Sequence, residues 1–211
     1  MKRFEIITES DARVLERGET VELAKGGHIT PLAQDTLNER RVTVVREGRV
    51  SEDEASLAPR ADIRSVAIGS DHTGVALRRT LVAFLRSRGL AVNDLGTDRA
   101  EPVDYPDVAA AVADAVARGE ADAAIVIDGA GIGSAMAANK IDGVRAVMAT
   151  TETIARYSRE HNGANVLALG ATLVSPDEAR AIDTTWLTTT MREPRYIRRL
   201  AKIRDLERRG K

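Results

Sequence analysis

The segment Val126-Ile127-Asp128-Gly129-Ala130-Gly131-Ile132-Gly133-Ser134 delivers one carboxylate onto a glycine-rich turn. The run Ala123 to Ile127 is short, apolar and flanked by breakers, so it reads as a buried strand, and 133–140 reads as the helix that follows. Three alternating glycines let main-chain N–H groups converge on a phosphate or a developing oxyanion, with the positive end of a helix dipole behind them. Asp128 stands at the lip of that nest, where a carboxylate can move a proton. Its plainer reading is a cap on the helix that begins near Gly131. Arg195 and Arg199 are one helical turn apart and project from one face, a spacing suited to a phosphate dianion that neither neutralises alone. They belong to a stretch with nine basic residues against three acidic ones between Arg192 and Lys211, so a solvated face competes with the clamp.

The remaining candidates are few. Imidazole comes only from His28, His72 and His161, no two of which have the i, i+4 spacing of a helical zinc site. The chain has no cysteine, which excludes thiolate catalysis, disulfide scaffolding and a thiolate zinc centre. His72 either serves a ligand or satisfies a strand end, and His161 either acts in chemistry or caps a helix over 151–160. Tyr105, followed by Pro106, has a stapling role at a helix start as its plain alternative. His28 precedes a helix cap and reads as a surface residue.

These residues need elements to position them, and the composition allows a full core. The chain has 211 residues, 43% hydrophobic, with a net charge of -1. Neither a membrane nor a general nucleic-acid partner is favoured, because no apolar run approaches the roughly 18 residues that cross a bilayer. Aromatics at 3% make a base-stacking surface improbable. The first residues carry acid directly after a brief apolar patch, unlike a secretory leader, and the expected address is cytoplasmic.

A charged segment, 46–64, gives way to the apolar run 65–69, which marks a boundary between residues 1–60 and 61–211. Beyond it the pattern alternates: strand 65–69, helix 74–88, strand 91–95, helix 106–118, strand 123–127, helix 133–140, strand 144–149, helix 151–160, strand 165–169, helix 176–189 and a final helix 194–209. Leu77, Leu81 and Leu85, and then Val108, Val112 and Val116, recur every four residues and face a sheet. The class is α/β, a Rossmann-like three-layer domain with a five-stranded parallel sheet, whose ligands gather at the carboxyl ends of the strands. Polar residues cluster there: Ser70, Asp71 and His72, then Asp128 to Gly133, then Thr150. Residues 1–60 form a small N-terminal extension with a helix over 10–17, Thr30 as N-cap before Pro31, a helix to Arg41 and a strand 42–45. So little apolar material suggests an arm that packs on the main domain or a partner subunit.

Residues 65–205 resemble the ribose-5-phosphate isomerase B family, which includes the galactose-6-phosphate isomerase subunits (LacAB). The resemblance is carried by VAIGSDHTG at 66–74, DLGT at 94–97, VDYPD at 103–107, GEADAAIVIDGAGIG at 119–133, AANKIDGVRAV at 137–147, REHNGANVLALG at 159–170, and Arg195 with Arg199. It implies a cofactor-independent, metal-free aldose–ketose isomerase of a phosphorylated sugar, working through a cis-enediolate. The partner it implies is a second copy, in a homodimer or dimer of dimers with active sites at the subunit interface. By the same resemblance His161 is the ring-opening acid/base, and Asn162 with Gly129, Gly131 and Gly133 stabilises the enediolate. Asp71 and Tyr105 hold sugar hydroxyls, while His72, Arg195 and Arg199 grip the phosphate.

The pattern is also broken. Most members carry cysteine as the proton-abstracting base where this chain has Asp128, and threonine where it has Ala130. A second branch uses glutamate at the place of Ser134, and many relatives have arginine at the place of Thr172. Asp128 substitutes as base if partial burial raises its pKa from about 3.9 toward neutrality. The alternative is a noncatalytic descendant that binds a sugar phosphate or serves in assembly through residues 1–60, where the stretch 29–35 bears a short likeness to Thr-Pro-x-Ala segments of microcompartment-associated proteins. A dinucleotide oxidoreductase fits poorly, because the third glycine of G-x-G-x-x-G would fall at Ser134 and the loop follows the third strand.

Overall fold

The computed structural model describes residues 1–46, 50, 52–98 and 101–209. Parts of the charged stretch, 47–49 and 51, and Lys211 of the basic tail lie outside them. The chain divides into two compact units, the first ending at Ser56 and the second beginning at Leu57. The division falls before 57 rather than at 60 for a visible reason. Leu57 C=O accepts from Arg145 at 3.0 Å and Arg60 C=O from Arg159 at 2.9 Å, which ties this stretch to the second unit.

In the first unit, β1 (Arg3–Ile7), β2 (Thr20–Ile29) and β3 (Thr43–Arg46) form a parallel sheet in the order β1-β2-β3. Helix α1 (Glu9–Val14) opens with a capping box on Thr8 and Asp11, and α2 (Pro31–Glu39) has Thr30 at its N-cap position and Pro31 in its first turn, without a cap bond from the Thr30 hydroxyl. A short helix, α3 (Glu52–Ala55), follows. Ile7, Ala12, Leu15, Val21, Leu23, Ala33 and Leu37 are all fully buried in a core of their own. This corrects the expectation of an arm with too little apolar material to make a core. The strands β1 and β2 escape a sequence reading because charged residues and the Gly26-Gly27 pair break their alternation.

The second unit is a Rossmann-like α/β domain. Its strands β4 (Ser65–Ser70), β5 (Ala91–Asp94), β6 (Ala123–Asp128), β7 (Ala146–Met148) and β8 (Val166–Gly170) make a five-stranded parallel sheet in the order β5-β4-β6-β8-β7. Between them run α4 (Val75–Ser87), α5 (Tyr105–Ala117), α6 (Ile132–Ala138), α7 (Glu152–Glu160) and α8 (Pro176–Thr188), with α9 (Pro194–Arg209) last. Side chains alternate across the strands. Val66, Ile68, Ile125, Ile127, Leu167 and Leu169 meet α4, α7 and α8 on one face, while Ala67, Ala124, Val126 and Ala168 meet α5 and α6 on the other. The second face carries the smaller residues, and α5 sits close enough that a Cβ on Gly69 would lie 2.6 Å from Val112. The order reverses between β4 and β6, so the crevice beyond their carboxyl ends is the switch point where such sheets receive ligands.

One buried acid has no role in this layout. Asp183 on α8 is fully buried, neither carboxylate oxygen makes a hydrogen bond among the described residues, and desolvation pushes its pKa up to about 8. The folded chain therefore keeps a proton there that the unfolded chain releases near pH 4, and stability falls as pH rises from about 4 to about 8. Asp183→Leu is expected to unfold at a temperature closer to wild type at pH 5 and roughly 5 °C above it at pH 8. Fluorescence of Trp186, the single tryptophan, reads the transition, and an equal difference at both pH values contradicts the assignment.

Candidate active site

The turn from β6 into α6 is built around Asp128. The N–H of Ala130 donates to Oδ1 at 2.7 Å, the N–H of Gly131 donates to the same oxygen, and the N–H of Ser134 donates to Oδ2 at 2.9 Å. Gly131 makes this possible with φ 76°, a left-handed conformation that glycine adopts without Cβ strain. A Cβ there would also lie 2.9 Å from the Leu169 backbone. Burial pushes the Asp128 pKa up, but the nearby Ser134 hydroxyl and the amides of Gly131, Ser134 and Ala130 outweigh it and hold the carboxyl below its ordinary value. The Ser134 hydroxyl itself is buried and outside hydrogen-bonding geometry with any described residue.

Two expectations are thereby corrected. The Asp128 pKa is lowered, not raised toward neutrality, because ionised oxygens on converging N–H donors are stabilised more than burial penalises them. The amides of Ala130, Gly131 and Ser134 do not stand open for an incoming oxyanion, since the carboxylate of Asp128 already holds them.

Neighbouring loops lock onto this turn. Asp128 C=O accepts from Ala171 N–H at 2.8 Å, and Gly129 C=O accepts from the Thr172 N–H at 3.0 Å and its hydroxyl at 2.7 Å. Tyr105, in the first turn of α5, lays its half-exposed ring over Gly133, where a Cβ would meet the ring carbons at 2.6 and 2.7 Å. Asp71 follows β4, and its N–H donates to Ile127 C=O at 3.2 Å, joining the two strand ends across the switch point. Its Oδ1 accepts from Thr73 N–H at 2.8 Å, Thr73 hydroxyl at 2.6 Å and Gly74 N–H at 3.3 Å, leaving Oδ2 outside these bonds. His72 is exposed, and its Nδ1 accepts from Val103 N–H at 3.3 Å, which places the proton of the neutral ring on Nε2.

The other candidates gather elsewhere. His161 caps the carboxyl end of α7, and its ring packs on Tyr157 and Tyr196, each with centroids 4.7 Å away. Arg195 and Arg199 lie over the Tyr196 ring at 4.8 and 5.5 Å, and Asn162 is exposed beside His161. Gly170 pairs with Asp128 at the end of β8, whereas His161 and Asn162 lie before the first residue of that strand. The four steps of β8 alone span about 13 Å. Within one chain the structure thus brings together Asp71, His72, Tyr105, Asp128, Gly129, Gly131 and Gly133 at the carboxyl edge. It sets His161, Asn162, Arg195 and Arg199 toward the opposite edge.

Sequence reading overlooked Tyr157 and Tyr196. The i, i+4 spacing of Tyr157 and His161 was the available signal for the first; Tyr196 needed the packing of α9 on α7. Among the described residues no cluster of three or more His, Asp or Glu side chains could hold a metal ion, and no helix is long and apolar enough to cross a membrane.

Comparison with known proteins gives this geometry its family. A family model described as Ribose/Galactose Isomerase matches residues 66–203. Ribose-5-phosphate isomerase B of Escherichia coli is 42% identical over 147 residues, 70% of this chain and 99% of that protein. D-erythrulose-4-phosphate isomerase of Pectobacterium atrosepticum is 38% identical over 124 residues, 58% of this chain and 82% of that protein. The solved structure of ribose-5-phosphate isomerase B from Clostridium thermocellum superposes with a TM-score of 0.69 at 46% identity, covering 70% of this chain and 99% of that one. The chain belongs to the ribose/galactose isomerase family, a family of isomerase enzymes, and residues 1–65 lie outside the family match.

The tight turn yields a prediction that separates backbone from side-chain crowding. A Cβ on Gly170 would lie 2.7 Å from the Ala130 main chain, which cannot retreat without breaking the Asp128 contacts. Gly170→Ala is expected to cost about 2 kcal/mol or more in denaturant unfolding. At Gly133→Ala the nearest atoms are the outer end of the Tyr105 ring, which can swing into solvent, so its unfolding free energy stays within about 0.5 kcal/mol of wild type.

Proposed function

We propose that this chain interconverts the aldose and ketose forms of a phosphorylated sugar through a cis-enediolate, without metal or organic cofactor. The observation that carries the reading is Asp128. It is held ionised at the switch point beside Asp71, in a domain that aligns with nearly the whole of the E. coli ribose-5-phosphate isomerase B.

A carboxylate offers about four lone-pair sites, and the three amides use three of them. One site remains for a carbon-bound proton. The lowered pKa keeps Asp128 in its basic form, at the cost of a weaker thermodynamic pull on that proton. As the proton moves to Oδ2, the negative charge leaves Asp128 for the sugar. The amides that held the first anion stay beside the second, so the turn supports the enediolate after the transfer rather than before it. Asp128 then returns the proton to the neighbouring carbon, while the hydroxyl proton passes to the oxygen that was the carbonyl, leaving the new carbonyl on the carbon that lost its hydrogen. Asp71 Oδ2 and the Tyr105 hydroxyl are suited to sugar hydroxyls, and His72 presents Nε2–H to the phosphate.

His161, acting as ring-opening acid/base, and the phosphate-binding pair Arg195 and Arg199 lie too far along the fold to serve Asp128 of the same protomer. We infer a two-fold dimer in which each carboxyl edge receives His161, Asn162, Arg195 and Arg199 from the other copy. Exposed Ile132, Met136 and Leu173 near the Asp128 turn, and exposed Ile154 and Tyr157 beside His161, supply apolar surface for such contacts.

Incubation with tetrose, pentose and hexose phosphates in deuterated water should give aldose–ketose interconversion with deuterium next to the carbonyl, followed by NMR. Conversion of none of them defeats the isomerase reading and leaves a binding protein. Asp128→Asn should lower kcat by at least about a thousandfold, and the acid limb that Asp128 sets should fall below pH 3.8, its ordinary pKa, so that limb does not cut turnover between pH 5 and 8. Coexpressing Asp128→Asn with His161→Gln should restore about a quarter of wild-type activity, because half the dimers carry one intact site of two. No recovery would count against sites shared between copies.

A further inference from the structure

Tyr196 stands where two functions meet. Its ring packs against the His161 imidazole with centroids 4.7 Å apart and planes tilted by 40°. The Arg195 guanidinium lies 4.8 Å from the same ring and donates from Nη2 to the Tyr196 hydroxyl at 3.0 Å. Arg199 adds a second guanidinium 5.5 Å from the ring centre. On α7, Tyr157 stacks on His161 at 4.7 Å and 17°, with Arg156 5.0 Å from the Tyr157 ring. One half-buried tyrosine thus links an acid/base imidazole to both cations of an anion clamp.

Long arginine side chains at an exposed helix start otherwise sample many rotamers, and fixing each for a ligand costs binding free energy. A ring held by packing on His161 removes much of that freedom before a ligand arrives. It also fixes the separation between the phosphate clamp and the imidazole. In the open-chain form of a sugar phosphate, the distance from phosphorus to the C1 and C2 oxygens at the reacting end grows with each added carbon.

We propose that Tyr196 is a positioning and specificity residue that sets how far the bound phosphate lies from His161, and so which sugar-phosphate chain length is accepted. The proposal rests on the isomerase reading for its consequence in turnover. The coupling of phosphate to His161 can be read without turnover.

Two measurements test it. In the first, the ring protons of His161, identified by their loss in His161→Gln, are followed by NMR as inorganic phosphate is added. Phosphate should shift them in wild type and in Tyr196→Phe, which keeps the ring, and should do so about tenfold more weakly or not at all in Tyr196→Leu. In the second, kcat and KM are measured for tetrose, pentose and hexose phosphates. Tyr196→Leu should raise KM about 10- to 100-fold for the preferred sugar and shrink the preference between chain lengths by about tenfold, with Tyr196→Phe close to wild type in both. An equal phosphate response in Tyr196→Leu, or an unchanged length preference in an active variant, overturns the proposal. A wild type that isomerises no sugar defeats the isomerase reading alone, and the phosphate titration then decides on Tyr196.

Discussion

A carboxylate held by main-chain amides organises the carboxyl edge of this domain. Once Asp128 accepts from Ala130, Gly131 and Ser134, the turn after β6 has a single conformation, and Gly131 must take a positive φ to supply its N–H. The fixed turn then presents its own carbonyls to the residues after β8, so Ala171 and Thr172 are stitched to it. Tyr105 rests on the Gly133 backbone and Asp71 hangs on Ile127, one residue before Asp128. Losing the carboxyl group would leave buried N–H groups unpaired, each a cost comparable to a lost hydrogen bond. The site is therefore as stiff as the sheet that carries it. Its electrostatics favour one unit of negative charge, that of the Asp128 carboxylate.

The sheet imposes a second constraint. Helices in a parallel α/β layout run back against their strands, so the end of α7 and the start of α9 fall away from the edge that carries Asp128. Charge and aromatic packing at that far edge have a logic of their own. His161, Tyr157, Tyr196 and three arginines form one connected group. The isologous pairing proposed above would bring these two sets together, each copy giving one of them.

The first unit follows separate rules. Seven fully buried apolar residues and a three-stranded parallel sheet give it a core without help from the family domain. It lies outside the family match, so nothing in the relatives' names bears on it.

Much of this could be read along the chain. The alternation of apolar runs and four-residue periodicities located every strand and helix after residue 64 to within a few positions, because each is local and strongly patterned, and the ordered motifs fixed the family. Asp128 as a helix cap was visible in its spacing to Gly131. The folded structure alone decided the rest. Whether burial or amide contacts governs the Asp128 charge depends on the donors the turn brings within 3 Å, Ala130 at 2.7 Å and Ser134 at 2.9 Å. The separation of His161 from Asp128 depends on strand order and helix direction, and the link from Tyr196 to His161 on two helices coming together that place residues 35 positions apart in contact. Local pattern is a property of neighbours in sequence, whereas charge state and distance are set by neighbours in space.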